Sequence, residues 1–335
     1  MTRLSVFVAL AITFCSCTKD KDTFCPPNGK QCDSTLYANP LPTDSCVIFP
    51  EISSGNLYIS TRIGPGYALV GKSSINLDEW LYTFHPEGAS SNIGAELWKV
   101  DTCSGKKQKL ADNVYVQPKI NQNGWILFMN NQDGLLYKIN ETGSNLSPVS
   151  SEINNITFDW CMNGEAFFYR ARFKKVAYLV SVEGTVLDSF NLDCYAIAGR
   201  KNRIAMNLKS EISGAYSKIV ILNLDNGYLT NIVELNGMGK GWPLALTWES
   251  DETIIGAFAL GLFRIHVSTG EIETLEKTCD NLFYYYPNIL PASPSWLAIS
   301  RRDYTYPELS QVFFTTNMVL YNTQTGEEWK LDLDQ

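Results

Sequence analysis

The stretch that decides the fold runs Gln117-Pro118-Lys119-Ile120-Asn121-Gln122-Asn123-Gly124-Trp125-Ile126-Leu127-Phe128 and resumes at Leu136-Tyr137-Lys138-Ile139-Asn140-Glu141-Thr142-Gly143. Apolar, β-branched and aromatic residues gather in runs of strand length, and each run stops at a polar turn ending in glycine. A strand at 114–120, a turn at 121–124, a strand at 125–129, a turn at 131–134 and a strand at 135–139 follow one another without a helical interval.

The last element of this unit recurs. Its turn has counterparts at Thr102-Cys103-Ser104-Gly105, Val182-Glu183-Gly184, Asp225-Asn226-Gly227, Ser268-Thr269-Gly270 and Thr323-Gln324-Thr325-Gly326. The six glycines are spaced 38, 41, 43, 43 and 56 residues apart. Apolar strands precede them, among them Leu97-Trp98-Lys99-Val100, Ile219-Val220-Ile221-Leu222 and Leu262-Phe263-Arg264-Ile265. A four-stranded unit repeated at this period is the signature of a propeller blade. The fold class expected is all-β: a six-bladed β-propeller of four-stranded antiparallel blades, near 63–112, 113–151, 152–191, 192–236, 237–277 and 278–335. Two stacked sandwiches would also supply short strands and frequent turns. They do not repeat one unit six times. Residues 46–62 are left over and are expected to cover an outer blade edge, and 304–310 reads as an insertion in the last blade.

The run 117–128 with Leu136-Tyr137-Lys138-Ile139-Asn140 and Gly143 resembles the TolB-type propeller repeat. Fainter echoes are Met162-Asn163-Gly164 with Phe167-Phe168-Tyr169, and Pro294-Ser295-Trp296-Leu297. The resemblance implies the fold. It implies no activity, because such rings host many.

Ahead of the ring, Arg3 and the apolar run 4–14 read as a secretory signal segment, too short for a membrane-spanning helix. Phe14-Cys15-Ser16-Cys17 resembles a bacterial lipoprotein cleavage box, with Cys17 as the acylated residue. The expected organisation is a signal peptide at 1–16, a polar tether at 17–45 and the propeller domain at 46–335. Thr18-Lys19-Asp20-Lys21-Asp22 resembles the export tags of some surface lipoproteins, and a solvated tether reads equally well. The expected location is the cell envelope, lipid-anchored, at the outer membrane. Seven further cysteines (Cys25, Cys32, Cys46, Cys103, Cys161, Cys194 and Cys279) suit an oxidising compartment, and their odd number leaves at least one thiol unpaired.

A net charge of −8 argues against nucleic acid. Gly66-Tyr67-Ala68-Leu69-Val70-Gly71-Lys72-Ser73 fits the pattern of a phosphate-binding loop. Such a loop must open a helix, whereas this one leads into a strand, so no nucleotide is expected. His85 and His266 stand alone, and no Gly-x-Ser-x-Gly elbow is present. No catalytic set, cofactor or metal site is expected.

Aromatics in the predicted first strands, which line a propeller's channel, are the remaining lead. Trp160, Trp242, Trp248, Tyr284 and Tyr285, with Arg301, are the candidate ligand-binding residues. Aromatic faces with a few polar groups suit a glycan or a protein anchor. Packing between blades suits them too. The function expected is a non-catalytic binding lipoprotein; the alternative is an envelope hydrolase or lyase using Asp159, Glu249 or Asp303.

Overall fold

A computed structural model describes residues 37–40, 66–72, 79–85, 94–101, 106–171, 173–209, 216–235, 245–258, 261–277, 282–290, 293–308 and 311–331. Strand β1 is Tyr37–Pro40. Blade 1 comprises β2 (Gly66–Lys72), β3 (Glu79–His85), β4 (Ala95–Asp101) and the first half of β5 (Lys107–Ile120). The second half of β5 opens blade 2, with β6 (Trp125–Asn130), β7 (Leu136–Asn140) and β8 (Ser147–Pro148). Blade 3 is β9 (Asn154–Cys161), β10 (Ala166–Ala171), β11 (Ala177–Ser181) and β12 (Val186–Phe190). Blade 4 is β13 (Cys194–Arg200), β14 (Arg203–Lys209), β15 (Tyr216–Asn223) and β16 (Leu229–Glu234). Blade 5 is β17 (Ala245–Trp248), β18 (Thr253–Phe258), β19 (Gly261–His266) and β20 (Ile272–Lys277). Blade 6 is β21 (Leu282–Leu290), β22 (Ser293–Glu308), β23 (Gln311–Asn322) and β24 (Glu328–Leu331).

Every pairing is antiparallel, and the first strands β2, β5, β9, β13, β17 and β21 each touch the next, with β21 touching β2. The ring is therefore closed, with the first strand of each blade innermost. The expected six-bladed architecture is the one observed. The expected break between blades 1 and 2 falls at Asn113, whose φ of 59° bends β5 from its pairing with β4 to its pairing with β6.

The middle strands explain why the ring is cohesive. In β10 the residues Ala166, Phe167, Phe168 and Tyr169 are all buried, because both faces of the sheet are covered. Phe167 and Tyr169 face blade 2 in a cluster with Leu127, Met129 and Leu136, whereas Phe168 faces blade 4 beside Ile204, Met206 and Val220. The same layering joins blades 4 and 5 through Ala205, Ile219, Trp248 and Ile254, and blades 5 and 6 through Ile255, Leu262, Leu297 and Val319. An isolated blade would expose both apolar faces, so blade folding and ring closure are coupled. Deleting one such side chain, as in Phe168→Ala, costs about 3–5 kcal/mol.

Some details differ from the sequence reading. Residues 46–62 lie outside the described residues. The outer edge of blade 6 carries β1, within the span read as tether, pairing Tyr37 with Leu331 and Pro40 with Trp329 of β24. The extra length read at 304–310 takes the form of a strand extension: β22 continues through 304–308, and β22 and β23 form one long hairpin. The stretch Gly66–Lys72 is strand β2, in ladder register with β3.

Candidate functional site

One face of the ring is organised by a repeated backbone tie. In five blades the turn after the third strand donates an N–H to a carbonyl at or just past the turn after the first: Glu141 to Gly124, Val182 to Glu165, Leu224 to Asn202, Val267 to Glu252 and Thr323 to Ser295. The bonds are 2.8–2.9 Å long. The glycines predicted to close the third-strand turns lie in the left-handed region, with φ of 85° at Gly143, 88° at Gly184, 69° at Gly227, 70° at Gly270 and 72° at Gly326. Gly105 and its turn lie outside the described residues.

On this face the first-strand turns of blades 2, 3 and 4 enclose a concavity of about 290 Å³. Asn121 and Gln122 of blade 2 form one wall, Asn163 and Gly164 of blade 3 the next, and Gly199, Arg200 and Lys201 of blade 4 the third; Trp160 and Cys161 lie beneath. The walls are fixed by bonds between blades. Asn121 Nδ2 donates to Gly164 O at 3.0 Å, Gln122 Nε2 to Asn163 O at 2.7 Å, and Met162 N–H to Lys201 O at 2.7 Å. Asn121 Oδ1 meanwhile accepts the N–H groups of Asn123 and Trp125, which sets its turn. Asn163 holds a φ of 56°, a conformation asparagine tolerates better than most residues.

The floor depends on a close approach of β9 and β13. Gly199 lies so near β9 that a Cβ there would stand 1.9 Å from the carbonyl oxygen of Trp160. Its N–H donates to Asp159 Oδ2 at 3.1 Å, and the Trp160 N–H reaches Asp159 Oδ1 at 2.8 Å. Burial raises the Asp159 carboxyl above the ordinary aspartate range, while Lys119 and these two donors oppose the shift.

The basic wall continues to blade 5. Arg200 Nε lies 2.6 Å from Asp251 Oδ1 and Lys201 Nζ 2.7 Å from Asp251 Oδ2, while Arg203 Nη2 donates to the Asp251 carbonyl at 2.9 Å. Arg203 also stands 4.7 Å over the Trp248 ring. Hydrogen bonding from Arg200, then from Lys201, pulls the Asp251 carboxyl down to about 2. Three cations thus surround one part-exposed carboxylate in a chain of net charge −8.

The sequence-predicted residues are placed as follows. Trp160 and Trp248 lie in innermost strands as expected, 6% and 4% exposed. Each indole N–H is held by a carbonyl of the preceding blade: Trp160 by Lys119 O at 2.7 Å, Trp248 by Ala198 O at 3.0 Å. Trp160 belongs to the concavity and Trp248 to the core between blades 4 and 5. Tyr284 and Tyr285 stand in the innermost strand β21, opposite Arg301 and Ser300. Arg301 is 5% exposed and ion-paired with Glu328 of β24, the fourth strand of the blade. Trp242 and Cys17 lie outside the described residues.

The three carboxylates do not share a site. Asp159 binds backbone donors between blades 3 and 4. Glu249 is gripped by Arg264 through Nε at 2.7 Å and Nη2 at 2.8 Å, and accepts Thr323 Oγ1 at 2.9 Å. Burial raises its carboxyl, but the Arg264 and Thr323 bonds outweigh that and hold it below the usual glutamate range. Asp303 lies in β22 of blade 6, opposite Leu282 and Thr315. Among the described residues no three His, Cys, Asp or Glu side chains are grouped to hold a metal ion.

Cys161 and Cys194 are free thiols buried between blades 3 and 4. They stand at opposite ends of the adjacent strands β9 and β13, since it is Gly199, five residues past Cys194, that meets Cys161. The other five ring and tether cysteines lie outside the described residues. So do residues 1–36, and among the described residues no helix is long and apolar enough to cross a membrane.

The concavity escaped the sequence reading because no local pattern marks it. Asn121-Gln122-Asn123-Gly124 and Met162-Asn163-Gly164 are visible as turns, yet their partners lie about 40 residues away. A usable signal is position: Asn121, Met162 and Lys201 are each the residue that follows the first strand of its blade.

The fold and this face together define a six-bladed β-propeller. No protein-family profile matches the chain, and no curated protein matches it. Among solved structures, the chain is similar to a protein assigned as TolB from Agrobacterium tumefaciens, at 14% identity and a TM-score of 0.55, over 72% of this chain and 89% of that one. It is similar to the β-propeller domain of the trilobed protease of Pyrococcus furiosus, described as having an open velcro topology, at 10% identity and a TM-score of 0.51 over 81% and 99%. It also resembles virginiamycin B lyase from Staphylococcus aureus, at 12% identity and 0.50 over 81% and 96%. At such identities the likeness establishes the fold alone.

Proposed function

We propose that this chain is a non-catalytic binding propeller of the cell envelope, moored by a lipid on Cys17, with residues 1–16 removed and its partner a protein or a glycan. The carrying observation is the concavity at the first-strand turns of blades 2 to 4. It is rigid, braced by bonds between blades, and walled by amides, a guanidinium and an ammonium. Those groups recognise polar partners by hydrogen bonding and charge. The carboxylates that an acid–base pair would need are engaged elsewhere, Asp159 with backbone donors and Glu249 with Arg264. The lipid reading rests on Phe14-Cys15-Ser16-Cys17 and the short apolar run before it. A ring turned outward on a polar leader would meet its partner without entering the bilayer.

The test is affinity capture from detergent-solubilised envelopes, with wild type and Cys17→Ser compared. Wild type is expected to be labelled by a fatty-acid probe and to retain a reproducible protein or glycan. Cys17→Ser is expected to appear in the soluble fraction, unlabelled. Labelling that survives in Cys17→Ser refutes the mooring, and capture of nothing reproducible refutes the binding role.

A further inference from the structure

Asp251 reveals what the basic wall is suited to hold. It is a short carboxylate side chain presented on a turn, and it receives Arg200 at 2.6 Å and Lys201 at 2.7 Å, with Arg203 3.5 Å away. Both Arg200 and Lys201 also line the concavity, whereas Asp251 does not. The two cations therefore stand between an internal carboxylate on one side and an open, amide-walled space on the other. Opposite them are Gln122 and Asn163, polar residues exposed to solvent. Charge does not balance within the group: three cations meet one carboxylate, although the chain as a whole is acidic.

We infer that this concavity is a receptor for a carboxylate side chain on an exposed loop of a partner protein, that Arg200 and Lys201 are its anion-binding residues, and that Asp251 is a built-in competitor holding them in place when the partner is absent. The inference rests on the binding role proposed above and deepens it. A protein is favoured over a sugar for two reasons. The occupant already present is an amino-acid carboxylate on a turn, the geometry a partner loop reproduces. Trp160 is 6% exposed with its N–H already engaged, so no aromatic face is open for a sugar ring to stack on. A planar guanidinium beside an ammonium fixes the orientation of a carboxylate while the amides supply further donors. Because the cations are part-exposed, binding weakens as salt rises.

The experiment uses the full chain and two probes: a fluorescent hexaglutamate peptide and a trigalacturonate oligosaccharide, titrated at low and at physiological salt. Arg200→Gln with Lys201→Gln is expected to weaken peptide binding at least tenfold. Asp251→Asn is expected to strengthen it severalfold, a gain that loss of structure cannot produce. Circular dichroism on each variant establishes folding, and Lys218→Gln, on β15 away from the concavity, is the control expected to change nothing. Peptide binding that is unaltered by the double substitution, or weakened by Asp251→Asn in a folded protein, overturns the assignment. Uronate bound in preference to peptide overturns it in favour of an acidic glycan. Envelope capture by the double variant as complete as by wild type leaves the binding role standing and refutes this concavity as its seat. Capture by neither refutes the binding role itself.

Discussion

Replacing Gly199 by alanine tests the closest approach in the ring. The added Cβ would stand 1.9 Å from Trp160 O and 2.8 Å from its carbonyl carbon. Both are backbone atoms, so no side chain can swing aside. The inner strands of blades 3 and 4 must separate by about 1.5 Å to restore an ordinary contact. Overpacking of this kind costs about 1–3 kcal/mol. Separation also stretches the Gly199 N–H bond to Asp159, 3.1 Å long, adding about 1 kcal/mol for a buried donor and acceptor. The expected loss is about 2–4 kcal/mol, which for a ring of this size lowers Tm by about 4–7 °C. Gly227→Ala provides the contrast. Nothing stands within 4 Å of its would-be Cβ, and only its φ of 69° opposes a side chain, at about 1–2 kcal/mol. Thermal unfolding followed by near-ultraviolet circular dichroism compares them. If Gly199→Ala melts no lower than Gly227→Ala, the inner strands are farther apart than described and the floor of the concavity is wrongly drawn.

Trp160→Phe and Trp248→Phe should each cost about 1–2 kcal/mol by removing the indole N–H bond to Lys119 O or Ala198 O; denaturant midpoints check this, and a change confined to one of them would break the equivalence of the two positions. Glu249→Gln should cost about 2–3 kcal/mol by leaving Arg264 half-compensated in a largely buried setting. Because the folded Glu249 carboxyl is lowered, its contribution is complete above the ordinary glutamate range and fades as pH falls through the lowered value. Acid denaturation should therefore have a shallower Glu249-dependent limb in the variant, and identical acid limbs would contradict the pairing. Burial pushes the Cys161 and Cys194 thiols well above the usual range, so mapped alkylation should modify neither in the native protein and both after unfolding.

What the sequence disclosed follows from the range of the interactions involved. Turns are local, so the glycines at 143, 184, 227, 270 and 326 and the strands before them were readable from residue type. The ring followed from their spacing. Bonds between blades are not local. Asn121 to Gly164, Met162 to Lys201 and Arg200 to Asp251 join positions about 40–50 residues apart, and nothing in either segment names its partner. The tryptophans show the same limit. Their placement on innermost strands was legible, but the capture of each indole N–H by the neighbouring blade was not. Arg301 read as a polar ligand-binding candidate at the end of the last blade's second strand, while its side chain is committed to Glu328.

The short strand β1 has a mechanical consequence. It lies antiparallel along β24, ahead in the chain of every blade it helps to hold. Tension drawn through the leader from a fixed point would therefore enter the wheel at its final spoke, with the load crossing the seam where head and tail of the chain lie side by side. Under such a load blade 1 would feel no pull until β1 had let go, and the strand would serve as a strain relief for the chain's first blade.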